Sequence, residues 1–172
     1  MNWAHVHLIV NHLPVILVPT SIALLVFARA RRSGEVTNAG LVLLVVTALI
    51  GGGVFLTGEP AEHAVEGVAG ITEASIEAHE DAALAAALAT GLAGVLALAT
   101  LVVSRTRPAP AGLLIATVVV GLAASGLMAR AANLGGLIRH SEIAGNPLTS
   151  QHPYLLMPRR GPADLEARGE KG

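Results

Sequence analysis

Seven histidines and no cysteine decide which chemistry is open to this chain of 172 residues. Without thiols there are no disulfides, no thiolate metal sites and no covalent haem attachment through C-x-x-C-H. Metal chemistry must rest on histidine, carboxylate or methionine. His5, His7 and His12 open the first apolar run, His63 lies between the second and third runs, His79 heads the third, and His140 and His152 follow the fourth. His12, flanked by Asn11 and Pro14, sits within or just below an apolar segment, where ionisable groups are costly and are functional suspects by default. Paired with His79, it offers two imidazoles that can ligate the iron of a b-type haem from facing helices. His5 and His12, seven apart, share a helix stripe. His7 and His12 are five apart and point to different sides, so His7 serves a second site or hydrogen-bonds a propionate. A bland alternative satisfies each ring with a carbonyl or water at an interface, and it is the ordinary expectation for His63 and His152.

The elements that must position these rings are apolar. The chain is 53% hydrophobic and 13% charged, about half the charged share of a soluble domain. A net charge of -1 excludes the basic stripe of a nucleic-acid binder. Four runs, about 6–28, 36–58, 82–104 and 108–129, contain no Lys, Arg, Asp or Glu. Each reaches the ~20 residues needed to cross about 30 Å of hydrocarbon. Backbone groups in lipid must be satisfied within the segment, so each run is a helix. The short connections 29–35 and 105–107 make antiparallel neighbours. The expected fold is all-α, an integral membrane four-helix bundle covering 1–140, with an outer connection at 59–81 and a hydrophilic tail at 141–172. A cleavable signal peptide competes for the first run, but residues 1–5 lack the positive charge it needs, so the run is expected to stay.

Arginine sets the expected orientation. Arg29, Arg31, Arg32, Arg105 and Arg107 crowd the two short connections, whereas 59–81 holds no Lys or Arg. Basic short loops stay in the cytoplasm, which puts both termini and every histidine on the outer face of the inner (cytoplasmic) membrane. The connection 59–81 carries Glu59, Glu62, Glu66, Glu73, Glu77, Glu80 and Asp81, and reads as a solvated, part-helical segment. Gly51, Gly52 and Gly53, Gly91 and Gly94, and Gly121, Ser125 and Gly126 let helices approach closely or leave room for a flat macrocycle. Arg130, Asn133 and Arg139 follow the fourth run, where they meet haem propionates, lipid headgroups or the acidic connection.

His7-Leu-Ile-Val-Asn-His12-Leu-Pro14 resembles the opening of an uncharacterised family of bacterial four-helix membrane domains, whose members begin with His-Pro, three apolar residues and His-Phe-Pro. That family also heads its third helix with a histidine, as Glu77-Ala-His79-Glu80 does here. It closes on Gly-Gly, a few residues and a histidine, as in Gly135-Gly136-Leu-Ile-Arg139-His140. The proline after the first histidine and the aromatic before the last proline are absent here. The resemblance covers nearly the whole pattern of spans. It implies a haem-binding domain similar to b-type membrane cytochromes, with His12, His79 and His140 as the closest carry-overs and His7 less so.

The expected function is that of a haem b subunit moving electrons at the outer face inside a larger redox complex. His12 and His79 are the expected axial ligands, and His7 and His140 a second pair or part of the site's walls. A quinol or a periplasmic carrier is the expected electron partner. Two alternatives stand beside it: a copper or zinc site built from His5, His7, His12, His79 and His140, or a cofactor-free structural subunit. No G-x-S-x-G, H-E-x-x-H or phosphate-binding loop is present to support an enzyme.

Overall fold

The computed structural model describes residues 3–58, 73–106 and 108–139, and among them it is helical without strands. The first apolar run is broken by its own proline. Pro14 has no N–H to offer the Val10 carbonyl, so α1 (Trp3–Val10) stops and α2 (His12–Arg31) begins across Asn11. Asn11 keeps right-handed helical dihedrals, and its N–H still reaches the His7 carbonyl at 2.9 Å. The chain therefore runs on as one element, His7–Arg31, long enough to cross a bilayer. At its far end Arg32 turns left-handed (φ 52°) and gives its N–H to the Ala28 carbonyl. Ser33 then caps α3 (Gly34–Leu56), its Oγ accepting from Val36 N–H at 3.3 Å. Two residues thus reverse the chain.

α4 (Glu73–Val103) and α5 (Ala111–Arg139) complete the set. Both outrun the apolar segments that announce them. α4 starts at Glu73, so the last acids of the expected outer connection are helical, and α5 carries on past Ala129 to Arg139. Hydropathy marks only the part of a helix that must avoid water. The Glu- and Ala-rich stretch ahead of Ala82 has good helix formers and continues the same helix beyond that limit. Residues 59–72 and 140–172, with His63, His140 and His152, lie outside the described residues.

Consecutive helices pack side by side, and α2 closes on α5, so α2 faces α4 diagonally and α3 faces α5. The buried positions step by four and three residues: Pro14, Val18, Ser21, Leu25 and Ala28 on α2; Gly40, Leu44, Thr47 and Gly51 on α3. Ala93, Ala97 and Thr100 on α4, and Thr117, Gly121, Ala124, Met128 and Ala131 on α5, keep the same rhythm. Alternating steps of three and four average 3.5 residues, the repeat of a left-handed bundle seam. Leu25, Leu41 and Leu44 are buried, but many large side chains are outside: Leu49 is 74% exposed and Leu56 78%, with Leu88, Val95, Ile115 and Leu122 also exposed. Four helices are long and apolar enough to cross a membrane, and small residues within with leucines without is the distribution a lipid solvent selects.

Interior hydroxyls are mostly satisfied locally. Thr47, Thr100, Thr117 and Ser21 donate to the carbonyls four residues back at 2.7–2.8 Å. Close approach depends on glycine at two contacts: a Cβ on Gly94 would meet Ala48 Cβ, and one on Gly121 would meet the Ile22 side chain. The Ala48 contact is a methyl rooted in backbone and cannot swing away. Gly94→Leu is therefore expected to cost about 1–3 kcal/mol through overpacking. The outward Leu92→Ala should stay within about 0.5 kcal/mol. Thermal or denaturant unfolding in detergent micelles checks both, and equal stability of the two variants would refute the packing role of Gly94.

Candidate functional site

At one end of the bundle the core stripes finish on polar residues or glycine. Stepping back from Pro14 by three and then four residues gives Asn11 and His7. Stepping back from Ala82 by three gives His79. On the other diagonal, Gly51, Val54 and Gly58 extend the α3 stripe, and Ala131 leads to Gly135 on α5. Two imidazoles and two glycines thus alternate around one level.

Each imidazole is braced by a neighbouring helix. His79 Nδ1 lies 3.0 Å from the Ala131 carbonyl. A carbonyl only accepts, so Nδ1 carries the proton and Nε2 keeps its lone pair. The ring lies over Gly135, where a Cβ would approach Cε1 at 3.0 Å and Nδ1 at 3.3 Å. His7 Nδ1 lies 3.1 Å from Thr57 Oγ1. With that hydroxyl donating to the Val54 carbonyl at 2.9 Å, His7 Nδ1 is the donor in this contact. Gly58 borders this ring, with its would-be Cβ 3.9 Å from Cε1. Half-buried His7, on α1, and His79, on α4, thus lie at the same end of the bundle, His7 held by Thr57 just past α3 and His79 by Ala131 on α5.

The other sequence candidates fall elsewhere. His12, paired with His79 from sequence, is exposed, and its Nδ1 donates to the Leu8 carbonyl of the preceding turn at 2.9 Å. Five residues correspond to about 140° around a helix, so His12 is turned well away from the direction His7 takes. His5 and Arg130 are exposed. Arg139 is the last residue of α5. His140 lies outside the described residues. Among those residues, no three His, Asp or Glu side chains gather as a metal site.

Thr57, Gly58 and Ala131 were not singled out from sequence. The three-and-four rhythm could have found Gly58, because it continues Gly51 and Val54. Thr57 and Ala131 act through a hydroxyl and a carbonyl placed by tertiary packing. Asn11, one turn below His7, has its Oδ1 buried with no hydrogen-bond partner. Thr90 Oγ1 shares that condition where α4 passes Gly51 and Pro14. Neither atom has a partner among the described residues.

Comparison with protein-family models, with curated proteins and with solved structures returns no match. The bracing nevertheless makes a direct forecast. Nitrogen NMR of histidine-labelled protein at a pH where the rings are neutral should show His7 and His79 protonated at Nδ1. Gly135→Val should perturb the His79 nitrogens more than those of His7. An Nε2–H tautomer at His79 would contradict the assigned bond to Ala131.

Proposed function

We propose that this chain is a haem b-binding membrane subunit that passes electrons at the outer face of the membrane, as part of a larger redox complex. The observation that supports this reading is that His7 and His79 lie at one end of the bundle, each with its Nδ1 held by another helix or its cap. Metal-bound histidines typically give their other N–H to a carbonyl or carboxylate, which fixes the tautomer and raises ligand basicity. A haem would need no more than two ligands from the protein, which His7 and His79 would supply, whereas a structural zinc site takes four protein ligands and a catalytic one three.

The surroundings fit the same group. Gly58 and Gly135 give the two imidazole rings the space they occupy at this level. Asn11 Oδ1 faces the same end without a partner. His7 and His79 would hold the iron, and Arg130 and Arg139, on the last turns of α5, would meet the propionates. Bound there, haem supplies a one-electron couple. The protein's own contributions are to orient the rings and to bury them partly beside apolar helix surface.

The basic connections between α2 and α3 and between α4 and α5 stay in the cytoplasm, which puts the imidazole end and both termini outside. A hydrocarbon layer of about 30 Å separates that end from the cytoplasm, so electrons enter and leave on the outer side or sideways through a partner subunit. A quinol or a periplasmic redox protein suits either route.

Two experiments test this reading. The visible spectrum of the purified chain should show a Soret band. His7→Ala or His79→Ala should remove most of the haem, while His12→Ala and His5→Ala keep it. Full haem in both of the first two variants would sink the assignment, and loss in His12→Ala with retention in His7→Ala would restore the pairing of His12 with His79. For orientation, a reporter fused after Gly172 should behave as periplasmic and one inserted at Gly34 as cytoplasmic. A cytoplasmic C-terminal reporter would overturn the outward placement of the histidines.

A further inference from the structure

The seam between α2 and α5 is the loosest of the four that close the bundle. It opens into a groove of about 540 Å³, walled by Pro19, Ile22, Ala23, Val26, Phe27 and Ala30 on α2 and by Leu122 and Ser125 on α5. The α2 positions step by three and one, a single helix face. The wall has no free polar group: Ser125, its one hydroxyl, donates to the Gly121 carbonyl at 2.9 Å. At the end nearest the basic connection stands a charge. The Arg31 guanidinium lies 5.7 Å from the centre of the Phe27 ring, a cation–π distance that holds it at the mouth.

We infer that this seam is a binding site for an anionic phospholipid, with an acyl chain along α2 and α5 and the phosphate against Arg31. The dimensions match. From Pro19 to Ala30 a helix rises about 16 Å, and half of a ~30 Å hydrocarbon layer is one leaflet. The apolar wall suits an acyl chain and offers nothing to the carbonyls of a quinone head. A guanidinium fork meets phosphate oxygens with two parallel hydrogen bonds, and a neutral quinol would leave it unused. Arg29 and Arg32, both exposed nearby, add attraction for an anionic headgroup. The site lies at the opposite end of the bundle from His7 and His79, so it does not depend on haem. It rests on the four helices crossing a bilayer.

The test uses the full chain reconstituted in phosphatidylcholine vesicles with trace spin-labelled phosphatidylglycerol or spin-labelled phosphatidylcholine. Electron paramagnetic resonance reads the motionally restricted fraction. Phosphatidylglycerol should be favoured by about fivefold, the effect of one basic residue near an anionic lipid. Arg31→Gln should remove most of that preference, and Arg32→Gln should leave most of it. Ala23→Leu fills the groove from an exposed position, so it should reduce the restricted fraction for both lipids without lowering the melting temperature. No headgroup preference in the unaltered chain, or an unchanged restricted fraction in Ala23→Leu, overturns the site. Efficient cross-linking of Ala23→Cys chains to each other in the vesicles would also overturn it, because the seam would then hold a second copy. A chain that floats with the vesicles yet restricts no lipid defeats the groove while leaving the membrane reading intact.

Discussion

Helices surrounded by lipid have no water to expel from between them, so they hold together only as well as their backbones can approach. Close approach of that kind is built into several interior positions here. Gly40 meets Leu25, Gly94 meets Ala48, and Gly121 receives Ile22. Alanine fills most of the α4 stripe at Ala82, Ala86, Ala93 and Ala97. Bulk is displaced to the outside, where leucine and valine face the solvent that suits them. Interior threonines and serines do not disturb this arrangement, because most return their protons to their own helix.

The same closeness builds the imidazole layer. A histidine ring is much larger than the alanines below it, and a tightly drawn bundle accommodates two rings on one diagonal only if the other diagonal recedes. Gly58 and Gly135 are that recession. The small residue at position 135 lets α5 come near enough for the Ala131 carbonyl to take the His79 proton, and Thr57 does the corresponding service for His7. Packing and the orientation of the two rings therefore share one cause, helices drawn together by glycine.

Pro14 ties the local sequence to this layer. Its missing N–H ends α1 at Val10 while Asn11 keeps the helical path, so His7 still lies on an extension of the α2 core stripe. Asn11 is carried into the interior by the same register, and its unpaired Oδ1 marks the level at which the chain's own polar groups run out. Pro19, lower on α2, forms part of the wall at the one seam that stays open.

Much of this was present in the sequence. Uncharged runs of more than twenty residues can only be helices where no water reaches them, and short connections make them antiparallel, so the four-helix bundle was legible without coordinates. So was the gathering of His7 and His79 toward one end, since alternate runs reverse direction. Which histidine of the first run turns toward the interior was not legible. Local hydropathy favoured His12 because it lies deeper in the apolar run, but depth along a helix says nothing of direction around it. Five residues turn a side chain by about 140°, and only the packing of α2 against α3 and α5 decides which side becomes the interior. The braces were hidden for a related reason: the Ala131 carbonyl and the Thr57 hydroxyl lie fifty residues or more along the chain from the rings they hold. Sequence carries the period of each stripe, and tertiary contact alone sets which stripes meet.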